Sequence, residues 1–127
     1  MTTDKFTTRD IRAISNEVRN PKSSFEEMPL TDLAQSIRSG TMAPTDLTFA
    51  AEHFGQRSTD PATVREVLVP LLSHEQSYVR EGALYGIFYH VDSAVAEQLQ
   101  RMKSADPSNA VRQVAGDVLD NYVERAE

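Results

Sequence analysis

At 127 residues the chain is long enough for one continuous core and too short for a catalytic domain plus a regulatory one, so residues 1–127 read as a single domain. Apolar residues make up 39% and charged residues 25%, the balance of a globular protein and not of a disordered one. Cysteine is absent, which fits a reducing compartment and excludes disulfides, thiolate nucleophiles and Cys-based zinc sites.

The net charge of −6 is unevenly placed: residues 1–40 carry six basic and six acidic side chains, residues 41–127 seven and thirteen. A surface of that sign repels phosphate backbones, so direct nucleic-acid binding is not expected. No apolar run approaches the roughly 20 residues that span a bilayer, and the opening residues lack the basic-then-apolar order of a signal peptide. A cytoplasmic location without a membrane partner is the expectation.

In chain order, Ile11, Ile14 and Val18 share one helical face over residues 7–19, closed by Asn20-Pro21. Residues 22–27 read as a linker with Phe25 as an anchor. Pro29 then opens a short helix through Leu30, Leu33, Ala34 and Ile37, stopped by Gly40. These two helices, residues 1–40, form an N-terminal cap.

Pro44 opens the next helix, whose apolar positions are Leu47, Phe49, Ala50, Ala51 and Phe54, with Gly55 as its stop. Asp60-Pro61 starts another, presenting Val64, Val67, Leu68, Leu71 and Leu72 inward, and Pro70 should bend or shorten its last turn. A helix over residues 77–91 is apolar nearly all round. Val79, Ala83, Ile87 and Val91 form one stripe; Tyr78, Gly82, Tyr85 and Tyr89 form another, whose tyrosines suit either core packing in a middle layer or an interface. Asp92 caps a helix through Val95, Leu99 and Met102, and Asp106-Pro107 leads into the last, with Val111, Val114, Ala115, Val118, Leu119 and Tyr122. Seven helices and no strand predict an all-α fold.

The segment 79–87 matches 111–119 at an offset of 32, pairing Val79-Arg80 with Val111-Arg112, Ala83 with Ala115 and Ile87 with Leu119. A further step of 32 back reaches Leu47 and Ala51. The intervening helices match at 31, pairing Val64 with Val95, Glu66 with Glu97, and Leu68 with Leu99. Helix pairs of this period are the signature of a stacked array in which each unit buries its face against its neighbours. Small side chains at 51, 83 and 115, with Gly82 and Gly86, predict a close approach of adjacent layers, which must offset a helix-propensity cost of about 1 kcal/mol per glycine.

The Val-Arg-x-x-Ala-x-x-x-(Leu/Ile) frame at 79–87 and 111–119, with Asp106-Pro107 before the second copy, resembles a HEAT or HEAT-like repeat. The resemblance covers residues 41–127, about two and a half repeats, and implies a short right-handed α-solenoid, an α-α superhelix. It also implies an inter-repeat ladder of Asp106, Arg80 and Arg112. The first unit departs from the frame, with Thr48 where arginine is expected and Gly55 in place of a large aliphatic residue.

Little in the chain suggests catalysis. His53, His74 and His90 lie on separate helices or turns without the i, i+4 spacing of a metal site, His74 and His90 read as solvated turn residues, and no glycine-rich phosphate loop or nucleophile elbow occurs. Neither a metal nor a cofactor is expected, nor an enzyme. The expected function is a protein-binding module, an adaptor or a toxin-neutralising immunity-type binder. It would dock its partner on the ridge of second helices, residues 61–72 and 93–103, the concave surface in solenoids. Arg65, Glu66, Val69, Glu97, Gln98 and Arg101 should project from that ridge, with His74 and Lys103 at its rim. In the alternative, the acidic stripe of Asp117, Asp120, Glu124 and Glu127 mimics nucleic acid and inhibits an enzyme that binds it; a lyase relative ranks below both. If the cap failed, the open ends of so short a stack would offer an apolar face for a homodimer.

Overall fold

A computed structural model describes residues 25–126 and, for the side chains, 25–125. The helix expected over residues 7–19 and the acid Glu127 lie outside the described residues. Among the described residues every regular element is helical and no strand occurs: α1 (Leu30–Arg38), α2 (Pro44–Arg57), α3 (Pro61–Leu68), a 3-10 turn (Val69–Ser73), α4 (Ser77–Ile87), α5 (Ser93–Ala105) and α6 (Asn109–Ala126). Phe25–Glu27, expected as linker, are helical as well, and Phe25 is buried as the anticipated anchor, its carbonyl accepting from Arg57 Nη1 at 2.6 Å.

Local sequence sets the boundaries. α1 ends where Gly40 takes a φ of +75°, a backbone conformation that suits glycine. Pro44 and Pro61 each stand in the first turn of their helix, where a missing N–H loses nothing. Asp60 and Asp92 cap α3 and α5 by accepting from Thr63 N and Val95 N. The Thr63 hydroxyl and backbone N–H hold the Asp60 carboxyl below its ordinary range. Pro70, which cannot donate to the preceding turn, coincides with the conversion of α3 into the 3-10 turn.

Two boundaries differ from expectation. Gly55 does not stop α2, which continues to Arg57; the glycine serves a contact instead. α4 ends at Ile87 and not at Val91. The last helix follows Asp106-Pro107 as expected and is capped by Ser108, its hydroxyl accepting from Val111 N at 3.1 Å.

The core is one continuous cluster running from Phe25 and Leu33 through Phe54, Leu68, Leu84 and Leu99 to Val118. α4 lies at its centre, packed on α2 on one side and on α6 on the other, while α5 packs along α6. Between α2 and α4 the backbones nearly touch. A Cβ on Gly55 would stand 1.8 Å from the Gly86 carbonyl oxygen, one on Gly82 2.3 Å from Thr48 Oγ1, and one on Gly86 2.4 Å from the Ala51 carbonyl oxygen. The side chain is missing at these positions because the neighbouring main chain occupies its place.

The same approach accounts for Thr48. The position expected to hold arginine is fully buried against Gly82, and the short hydroxyl donates to the Tyr78 carbonyl at 2.7 Å. Between α4 and α6 the arrangement is different. Arg80 grips Asp106 through Nε and Nη2 at 2.9 and 2.8 Å, and its Nη1 donates to the His74 carbonyl at 2.7 Å. One repeat later Arg112 Nη1 donates to the Asp106 carbonyl at 2.6 Å, the same contact six residues back. Arg80, Asp106 and Arg112 thus form a connected series.

Candidate functional site

α3 and α5 leave an open groove of about 450 Å³ between them. Ala62, Val69, Pro70, Ala94 and Val95 supply its apolar lining, and Arg65, Glu66, Asp92 and Gln98 its polar edges. The alternation follows from the helices themselves. Val64, Val67 and Leu68 turn into the core on α3, as do Leu99 and Met102 on α5, so the flanking positions face the groove, with the buried Val95 at its floor.

One wall is fixed by Arg65. Its Nε pairs with Asp92 Oδ2 at 3.1 Å and its Nη1 donates to the His90 carbonyl at 3.0 Å, while the other Asp92 oxygen caps α5. Arg65 therefore spans from α3 to the turn before α5, half-buried, and does not simply project as a free contact. Glu66 is exposed and pairs with Arg38 of α1, an exposed ion pair of small net value.

Of the residues expected on the docking ridge, the groove brings together Arg65, Glu66, Val69 and Gln98. Glu97 and Arg101 are exposed on α5 outside its lining. Lys103 belongs to the other flank of α5, its aliphatic stem 3.6–3.8 Å from where a Cβ on Gly116 of α6 would stand. His74 lies in the turn before α4, where Nδ1 accepts from Gln76 N at 3.0 Å and the carbonyl accepts from Arg80. The sequence did not single out Ala62 or Ala94, small residues that carry no distinctive signal, and it marked Pro70 and Asp92 only as a helix bend and a cap, not as groove residues.

Asp117, Asp120 and Glu124 are exposed on α6, whose opposite side holds the buried Val111, Ala115 and Val118. They lie on the side of α6 turned away from that buried row. Of the tyrosine stripe, Tyr78 is half-buried, but Tyr85 is 36% and Tyr89 65% exposed, so core packing does not account for those two rings. Glycines 82 and 86 bring α2 too close to need the rings, and Val79, Ala83 and Ile87 fill the core side. His90 is not a solvated turn residue either; it is half-buried, with Nε2 2.9 Å from the Gly55 carbonyl oxygen.

Among the described residues, no group of three or more His, Asp and Glu side chains is placed to hold a metal ion, and no helix is long and apolar enough to cross a membrane. A second hollow of about 370 Å³ lies between α1, the end of α2 and the start of α3, floored by Leu30, Ala34 and Phe54.

Comparison of the chain with models of protein families, with curated proteins and with solved structures gave no match in any of the three.

Proposed function

We propose that the chain is a non-catalytic module that binds another protein in the groove between α3 and α5, on a short HEAT-like solenoid of helix pairs. The observation that carries this reading is the groove itself. Four residues that the repeat pattern assigns to an exposed ridge, Arg65, Glu66, Val69 and Gln98, converge on one opening with an apolar floor and charged edges. An apolar centre with a polar rim is the composition that protein interfaces favour. The solenoid reading rests on the order of packing, in which α4 sits between α2 and α6, and on the repeated arginine contact six residues back. An adaptor or a toxin-neutralising binder fits such a module, since neither role needs a reacting group.

The test is affinity capture from native lysate with wild type and an Ala94→Arg, Gln98→Arg double variant, compared by mass spectrometry at two salt concentrations. Ala94 is exposed and Gln98 half-buried on the groove side of α5, so the variant should melt like wild type while two bulky cations block the opening. Loss of one specific partner in the variant supports the groove. Retention of that partner by a folded variant contradicts it.

A further inference from the structure

The hollow beside α1 and the groove beside α5 share one wall, α3. Asp60 and Thr63 border the hollow; Ala62, Arg65 and Glu66 border the groove. A direct contact ties the two together, because Arg38 on the rim of the hollow pairs with Glu66 on the rim of the groove. Both depressions have apolar floors, made by Leu30, Ala34 and Phe54 in the first and by Val69 and Val95 in the second. Their edges are also built alike. Asp60 caps α3 at the edge of the hollow, and Asp92, 32 residues on, caps α5 at the edge of the groove.

We propose that hollow and groove form one track that seats a single helix of a partner protein laid across α3, a reading that rests on the α3–α5 groove as a protein-binding site and extends it to α1. The partner helix places one uncharged aliphatic side chain in the hollow and another, seven residues away, in the groove. Charge at the site selects the chemistry of these anchors. Arg38 is paired with Glu66 and Arg65 with Asp92, while the two oxygens of Asp60 accept from the backbone and hydroxyl of Thr63. A charged anchor would give up its hydration on the apolar floors and find the charges around it already paired. Spacing selects the helix. An α-helix with its side chains is about 10–12 Å across, and this sets the separation of two depressions on opposite sides of α3. Seven residues of a partner helix rise about 10.5 Å and return to the same face. On one face of an extended strand, side chains two residues apart stand about 6.7 Å apart and those four apart about 13 Å.

Two-dimensional NMR of the isotope-labelled full chain, titrated with soluble alanine- and glutamine-based helical peptides, tests the track. One peptide carries leucines at i and i+7, a second at i and i+3, and a third a single leucine. The i, i+7 peptide should bind about tenfold or more tightly than the single-leucine peptide, since a second leucine is buried. It should shift amide resonances in residues 30–38 and 92–98 at one common midpoint, and its affinity should change less than about twofold between low and high salt. Thr31→Arg and Ala94→Arg each place a bulky cation over one depression from an exposed position, and their spectra report whether the fold is kept. Each should lower the affinity of the i, i+7 peptide about tenfold, to that of the single-leucine peptide. Equal binding of the i, i+7 and i, i+3 peptides, a steep salt dependence, or no binding at millimolar peptide would overturn the proposal. Sensitivity to Ala94→Arg with indifference to Thr31→Arg would overturn the track and leave the α3–α5 groove as the site. Indifference of the folded chain to both variants would overturn the two together.

Discussion

The two faces of α4 solve the same packing problem in opposite ways. Towards α2 the helices meet backbone to backbone, with Gly55, Gly82 and Gly86 removing every side chain that would keep them apart. Towards α6 a buried arginine and aspartate join the units through paired hydrogen bonds. The residues concerned stand 32 apart in the sequence, at Thr48, Arg80 and Arg112. That spacing fixes where a contact falls without fixing its chemistry. Where backbones touch there is no room for a guanidinium, and where they stand further apart one fills the gap.

The sharpest break in this comparison is Gly55→Ala. With the Gly86 carbonyl oxygen 1.8 Å from the new methyl and main chain on both sides, the seam must open; a loss of about 4 kcal/mol or more, enough to unfold the domain, is expected in chemical denaturation. Arg80→Ala attacks the other seam. It strands the buried Asp106 carboxylate and should cost about 3–5 kcal/mol, whereas a Gly55-like loss of compactness should not accompany it. Thr48→Val keeps the shape of the tight seam and removes only the hydrogen bond to the Tyr78 carbonyl, so a fall of about 1 kcal/mol in unfolding free energy is expected. If Thr48→Val proved as damaging as Gly55→Ala, the seam would depend on that hydroxyl more than on close approach.

These contacts also mark how far the sequence could be read. The six helices expected after residue 28 all occur, because caps such as Asp60 and Asp92 and inward rows such as Val64, Val67 and Leu68 are local signals. The close approach at Gly82 and Gly86 was legible for the same reason: two glycines inside an apolar helix need a packing cause. Gly55 was misleading because a glycine late in a helix resembles a stop, and only its neighbour across the seam shows otherwise. Buried Glu81, 3% exposed within α4, gives no sign in a pattern that otherwise alternates small and apolar residues. At the groove, Glu66 and Gln98 could be placed by periodicity, but the tie from Arg65 to Asp92 and the His90 carbonyl joins residues 25–27 positions apart. Gly82 and Gly86 signal the approach of α2, but which side of α4 it leaves uncovered at Tyr85 and Tyr89 depends on the placement of whole helices, which local spacing does not encode.

Both seams hold α2, α4 and α6 together and leave α3 and α5 facing an open groove, where the proposed partner protein would sit. Amide hydrogen exchange of the full chain, alone and with its captured partner, locates that contact. Slowed exchange is expected in residues 62–70 and 92–98, with α6 unchanged beyond residue 116. Protection of residues 117–125 with none along α3 and α5 would contradict it.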